Sequence, residues 1–102
     1  MLMHDQLDIM RAQLNTETAQ ADWAELQRFF AKGVLIQVSS HLDLVDVAAH
    51  IACDDSITVQ TWMASGKVVK LGDATAADWH SRNPLLWAVV VAPWILVQER
   101  AH

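Results

Sequence analysis

The chain has 102 residues, of which 53% are hydrophobic and 19% are charged, and its formal net charge is −5. This composition supplies enough apolar surface for a folded domain and excludes intrinsic disorder. The negative charge disfavours a nucleic-acid partner, because nucleic acids bind chiefly to basic patches. We expect a single domain over residues 1–102, in which residues 1–20 form a loosely packed N-terminal helix.

The sequence also indicates a compartment. Cys53 is the single cysteine, which excludes an internal disulfide and is typical of a reducing compartment. Residues 1–5 lack the basic start and the apolar run of a signal peptide. The longest apolar run, residues 85–97, is shorter than the roughly 20 residues of a membrane helix and contains Pro93. We therefore predict a cytoplasmic protein with no membrane partner.

Two helices and a strand are predicted in the first part of the chain. Residues 4–19 show a weak helical spacing of apolar side chains. In the second helix, Asp22 and Glu25 have the spacing of an acidic capping box, and Gly33 marks the end. The apolar and β-branched residues 34–38 then predict a strand.

A helical hairpin is predicted in the middle of the chain. Asp43 is a favourable N-cap for its first helix, residues 54–56 are capping types that separate the helices, and Gly66 ends the second helix. Each helix has one apolar face at helical spacing, formed by Leu44, Val47, Ala48 and Ile51 in the first and by Val59, Trp62 and Met63 in the second.

A short strand and a last helix follow the hairpin. Residues 67–71 are the strand candidate, and Asp73 or Thr75 begins the helix. The helix ends before Pro84, because the residue preceding a proline is disfavoured in the helical conformation.

The apolar run near the C-terminus predicts a buried strand. Residues 85–91 have the composition of a strand that is covered on both faces. Pro93 cannot donate a ladder hydrogen bond, so we predict that the strand bends there and resumes over residues 94–98. The predicted fold class is α+β and winged-helix-like, with a helical hairpin packed on a small β-sheet that ends in a bent C-terminal strand.

Residues 43–71 resemble the helix-turn-helix of excisionase-like regulators. The matching positions are Val47 and Ala48, the turn at residues 54–56, the second-helix residues Ile57, Val59 and Trp62, and the wing exit at residues 66–68. In that family the second helix enters the major groove of DNA, so the resemblance implies a DNA-binding regulator.

The charges around this hairpin weaken the DNA interpretation. Residues 43–66 contain four aspartates and no Lys or Arg, and the lysines that follow are Lys67 and Lys70. DNA binders gain much of their affinity from basic contacts with phosphates. A winged-helix DNA-binding regulator therefore stays an alternative, one that uses bases outside the hairpin such as Arg28 and Lys32.

The whole chain is similar to a family of short bacterial proteins of unknown function. The resemblance runs from about Leu14 to Gln98 and is carried by residues 23–30, 42–48, 54–55, 59–62 and 87–98. It implies no assigned activity, catalytic residue or cofactor.

One helix face carries a candidate metal site. Asp46, His50 and Asp54 lie at i, i+4 and i+8, a spacing that stacks two carboxylates and an imidazole and suits a divalent cation. The same pattern is typical of a solvated face opposite the core. His50 and Cys53 also lie within reach of each other, but no orienting third group follows from the sequence, so no catalytic residue is predicted.

Trp87 and Trp94 bracket the apolar run and form a candidate interface. If their strand lies at a sheet edge, it can pair with a second copy of the chain, and if it lies inside the sheet, they are core residues. The leading hypothesis is a non-catalytic protein-interaction or regulatory module with an unidentified protein partner or a homodimer. A metal-binding protein or enzyme that uses Asp46, His50 and Asp54 is the second alternative.

Overall fold

Helices and strands alternate along most of the chain. The computed structural model describes residues 3–100. The elements over these residues are α1 (Met3–Glu17), β1 (Ala19–Ala21), α2 (Trp23–Ala31), β2 (Leu35–Val38), α3 (Leu44–Ala52), α4 (Ser56–Ala64), β3 (Val68–Lys70), α5 (Asp73–Arg82), β4 (Leu86–Val91) and β5 (Trp94–Glu99). The predicted α+β class is confirmed.

The strands form one mixed sheet in the order β1-β4-β5-β2-β3. Strands β2 and β5 run parallel, with Leu35 opposite Ile95, and the other neighbouring pairs are antiparallel. The last of these strands, β5, therefore lies in the centre of the sheet. Both β2 and β5 direct their carboxyl ends to the same edge.

Helices cover both faces of the sheet, because successive side chains of a strand point to opposite faces. On one face, α1, α3 and α4 pack over a core cluster that includes Val38, Leu44, Val47, Val89 and Leu96. On the other face, α2 and α5 pack over a cluster that includes Trp23, Leu35, Trp79, Leu86 and Val97. Leu7 and Leu14 of α1 are buried in the first cluster.

Three predicted helix starts are confirmed by their caps. Asp22 Oδ1 accepts the Glu25 N–H at 3.0 Å, and Asp43 Oδ1 accepts the Val45 N–H at 2.9 Å. Asp55 caps α4 in the same way by accepting the N–H of Thr58 at 3.3 Å. Each cap satisfies an N–H that has no partner inside its helix.

The prediction of a bent C-terminal strand is wrong. Strands β4 and β5 instead form an antiparallel hairpin in which Val91 lies opposite Trp94. Ala92 and Pro93 form its two-residue turn, with a cis peptide bond between them. A turn residue needs no ladder hydrogen bond, so the missing N–H of Pro93 is accommodated there without a bulge.

The winged-helix resemblance is not confirmed. Helices α3 and α4 do follow each other across a short turn, as predicted, but they lie over a five-stranded mixed sheet with a parallel pair at β2 and β5. Strand β1 was not predicted, because Ala19–Ala21 contains no β-branched or aromatic residue. Among residues 3–100, no helix is long and apolar enough to cross a membrane.

Candidate functional site

His50 lies at the centre of the helix face that the sequence suggested as a metal site. Its Nδ1 lies 2.8 Å from the carbonyl oxygen of Asp46 and 3.6 Å from Asp46 Oδ1. Its Nε2 lies 3.7 Å from Asp55 Oδ2, and its ring meets Trp62 edge-on at 5.1 Å. The imidazole thus links α3 to the start of α4.

The carboxylate of Asp46 is bound by another helix. Arg11 of α1 places Nε at 2.8 Å and an Nη at 2.6 Å from Asp46 Oδ1. Asp54 is exposed in the α3–α4 turn, where its φ is +57°. Over residues 3–100, no three His, Cys, Asp or Glu side chains are grouped so that they could hold a metal ion. The structure therefore brings His50 together with Asp46 and Asp55 rather than with Asp54.

Cys53 and Trp87 both lie against the core. Cys53 is half-buried at the end of α3 and packs against the α1–α3 cluster. Trp87 lies on β4, which is flanked by β1 and β5, so its strand is internal. The guanidinium of Arg100 lies 4.8 Å from the centre of the Trp87 ring.

Trp94 lies beside an apolar groove between α4 and the sheet, which we name the α4 groove. It has a volume of about 280 Å³. It is bounded by α3, α4 and strands β2, β3 and β5, and its lining residues are Ile36, Ile51, Val59, Met63, Val68, Val69, Lys70 and Trp94. Met63 is 56% exposed and Trp94 is 38% exposed, so two large side chains are open to solvent at the groove.

Helix α4 has the surface chemistry of a helix that is covered by something else. None of its residues is buried, and Ile57 is 79% exposed. The segment Ser56–Ala64 contains no charged residue. A solvent-facing helix ordinarily carries charged and polar residues on its outer face. The large exposed apolar side chains of α4 are Ile57 and Met63, and exposed apolar surface is a feature of interaction sites.

Lys70 supplies the one charged side chain among the groove-lining residues. It lies opposite Ile36 in the β2–β3 register. Its ammonium extends towards Gly33, where a Cβ atom would lie 3.2 Å from Lys70 Nζ. The positive charge therefore lies close to the C-terminal end of α2, beside Gly33, which does not itself line the groove, and a cation there suits the helix dipole.

Comparison with known proteins gives a family. Residues 9–99 match the family described as Protein of unknown function (DUF2288). The chain belongs to this family. The DUF2288 chain is also similar to the NMR solution structure of PA1075 from Pseudomonas aeruginosa, with 49% identity and a TM-score of 0.81, over 100% of this chain and 94% of that chain. No curated protein matches the chain significantly. The predicted membership of a family of unknown function is confirmed.

The sequence of this DUF2288 protein contains one signal for the groove. The helical spacing of Val59, Trp62 and Met63 predicts a core-facing stripe, whereas Met63 is exposed and the other two are half-buried. The missed signal is the lack of any charged residue in α4, since a helix with only one apolar face should have a polar face opposite. The position of α4 beside Trp94 depends on the β4–β5 hairpin, which the sequence does not predict.

Proposed function

We propose that this DUF2288 protein is a cytoplasmic, non-catalytic interaction module whose α4 groove binds an amphipathic helical segment of a partner protein. The observation that carries the proposal is the exposed apolar surface of α4, which continues through Met63 to Trp94 across the groove. The lone thiol of Cys53, unpaired and half-buried, supports the reducing compartment.

The lining favours an occupant that docks through its side chains. Met63 is flexible and polarisable, and Trp94 offers a broad apolar surface, which suits the apolar face of a helix. The free edge of β3 is less suited to strand addition, because Lys67 and Lys70 flank it and edge lysines discourage pairing. A helix in the groove therefore fits this surface better than an added strand.

The charge at the rim defines the chemistry of the occupant. Lys70 faces the groove from β3, and the residues Asp54 and Asp55 lie beside Ile51 and Val59, which line the groove from the α3 and α4 side. A complementary segment has apolar side chains in its centre, a carboxylate towards Lys70 and a cation towards the aspartates. Such complementarity affects specificity more than affinity.

Synthetic helical peptides test this proposal. One peptide carries a Leu-rich face with Glu at one end and Lys at the other, and the matched peptide has the same face with Lys at both ends. Binding is measured by fluorescence anisotropy of the labelled peptides. We expect the Glu-containing peptide to bind more tightly, Lys70→Glu to reverse the preference, and Met63→Glu to abolish binding of both peptides. Lys67→Glu is the matched control just before the same strand and leaves the preference unchanged.

Two results would overturn the proposal. One is that neither peptide binds at millimolar concentration. The other is that analytical ultracentrifugation shows a stable dimer which Met63→Glu dissociates, because the groove is then occupied by a second copy of the chain. Circular dichroism and thermal unfolding of each variant establish that it is folded.

A further inference from the structure

A second cavity lies at the sheet edge where the parallel strands β2 and β5 end, and we name it the strand-end cleft. Its volume is about 500 Å³, within the usual range for small-molecule sites. Its polar lining residues are Gln37, Ser39, Ser40, His41, Lys67 and Glu99. Crevices beyond the carboxyl ends of parallel strands are common ligand sites in α/β sheets.

The cleft is lined by polar side chains that the fold does not use. Within residues 3–100, the side chains of Gln37, Ser40, His41 and Lys67 form no hydrogen bond or ion pair. All four can donate hydrogen bonds to an anion. Gln37 lies on β2, Ser40 and His41 lie on the β2–α3 loop, and Lys67 lies just before β3, on two sides of the same cavity.

Hydrogen bonds hold the loop that carries Ser40 and His41 in place. Gln98, which is only 3% exposed, donates from Nε2 to the carbonyl oxygens of Ser39 at 2.8 Å and Leu42 at 2.6 Å. The Ser39 N–H donates to the carbonyl oxygen of Lys67 at 2.8 Å, which joins the loop to the start of β3. The backbone of the loop and the backbone that leads into β3 therefore keep a fixed spacing.

The opposite wall is also fixed, and its carboxylate is paired with an arginine that it shares with a second carboxylate. Glu99 Oε1 accepts hydrogen bonds from Trp79 Nε1 at 3.0 Å and from an Nη of Arg82 at 2.7 Å. Arg82 also binds Asp78, which lowers the pKa of that carboxyl below its ordinary value. With Glu99 occupied by Arg82, Lys67 is the charged group in the cleft that is left without a partner.

From this arrangement we propose that the strand-end cleft binds a small organic anion, a carboxylate or a phosphate ester. Its charged group lies between Lys67, His41 and Ser40, and its body lies over the apolar base formed by Val69 and Trp79. Gln37 can bond either a hydroxyl or a carbonyl group of the ligand, since its amide both donates and accepts. This proposal does not depend on the α4 groove, which Lys67 does not line.

The test is a titration of the ¹⁵N-labelled full chain with succinate, benzoate, inorganic phosphate and glycerol phosphate, followed by amide chemical shifts. The succinate and benzoate arms report carboxylate recognition, and the phosphate arms report phosphate recognition. We expect saturable shifts for at least one anion, centred on residues 39–41 and 67. Lys67→Gln is expected to weaken that binding about tenfold or more, as the loss of a charge-assisted hydrogen bond implies. Lys70→Gln, the control on the same strand outside the cleft, is expected to leave it unchanged.

Sodium chloride at matched ionic strength separates recognition from general screening. If chloride reproduces the shifts, or if Lys67→Gln and Lys70→Gln weaken binding equally, the proposal is wrong. The same holds if none of the four anions produces a saturable shift at the cleft. Both lysines are exposed, so neither substitution disturbs the core. Amide spectra of the two variants that match the wild type outside the β3 region verify that each is folded.

Discussion

Arg11 binds Asp46 across the contact between α1 and α3, with Nε 2.8 Å from Oδ1. The two residues are far apart in sequence, yet this pairing decides how the acidic face of α3 is used. The hydrogen bond with Asp46 raises the pKa of Arg11 further above its ordinary value. The carboxylate of Asp46 already forms a charge-assisted hydrogen bond with the Arg11 guanidinium. Its role is therefore to link α1 to α3, which differs from the role of a metal ligand.

The first prediction concerns the ion pair between Arg11 and Asp46. In a double-mutant cycle with Arg11→Met and Asp46→Asn, we expect a coupling free energy of about 0.5–1 kcal/mol, because both side chains are partly exposed and water screens the pair. Urea unfolding at low and high salt measures it, and the coupling should decrease at high salt. A coupling free energy of zero at low salt would show that α1 is held by its apolar contacts, which include Leu7 and Leu14, without a contribution from this pair.

Local signals predicted the helices well and their long-range contacts poorly. Asp22 and Asp43 cap helices as predicted, and the cap of α4 is Asp55 of the predicted capping cluster 54–56, since a cap depends on residues two or three positions away. The Arg11–Asp46 pair depends on how α1 crosses α3, which no local spacing encodes. The helical spacing predicts Asp54 in line with His50, but the helix ends at Ala52 and the turn directs the chain elsewhere.

The second prediction concerns Gln98, the buried polar residue of β5. Gln98→Leu is expected to lower the free energy of unfolding by about 1–3 kcal/mol, because the carbonyls of Ser39 and Leu42 lose their side-chain donor while staying shielded. Gln37→Leu is the control, since the Gln37 side chain forms no hydrogen bond within the described chain. Its effect should stay within about 0.5 kcal/mol. Equal effects in urea unfolding would contradict the role given to Gln98.

The third prediction concerns two glycines with left-handed backbone conformations. Gly33 has φ +74° and Gly66 has φ +76°, so an alanine at either position is expected to cost about 1 kcal/mol or more. At Gly33 the new Cβ would also lie 3.2 Å from Lys70 Nζ, whereas at Gly66 nothing lies within 4 Å. Lys70 Nζ is the end of a flexible, exposed side chain that can move by the few tenths of an ångström required. We therefore expect thermal unfolding to show similar losses for the two variants. A clearly larger loss for Gly33→Ala would show that Lys70 does not move away.

The fourth prediction concerns the free energy of unfolding at low pH. The hydrogen bond from Arg82 lowers the pKa of Asp78 below its ordinary value of 3.8, so the ionised carboxyl stabilises the folded state above that pH. This contribution is lost as the pH falls through the lowered folded pKa. The difference in unfolding free energy between wild type and Asp78→Asn should therefore be constant above about pH 5 and shrink below pH 3.8.

Arg82→Gln provides the control for the acid experiment. In that background, Asp78→Asn should no longer change the pH dependence measured by urea unfolding, because the hydrogen-bonding guanidinium is absent. If Asp78→Asn still changes the pH dependence in that background, a group other than Arg82 lowers the pKa of Asp78.

The candidate surfaces were hidden from the sequence for a common reason. The sequence predicts Trp94 as a candidate interface residue. Its neighbours Ile51 and Met63 lie on separate helices, however, and the strand order of the sheet is what brings them next to Trp94. The residues of the strand-end cleft are dispersed in the same way, from Gln37 to Glu99. Each set is assembled by the parallel β2–β5 pair, and a parallel pairing leaves no short-range signature comparable to a hairpin turn.

The central place of β5 has a consequence for biosynthesis. In the order β1-β4-β5-β2-β3, this strand alone joins the pair formed by β1 and β4 to the pair formed by β2 and β3. A nascent chain that has not yet exposed Trp94–Glu99 outside the ribosome holds two unconnected strand pairs. The sheet therefore closes only after β5, the last of its five strands in the order of synthesis, is available, so the strands made earlier cannot complete the core by themselves.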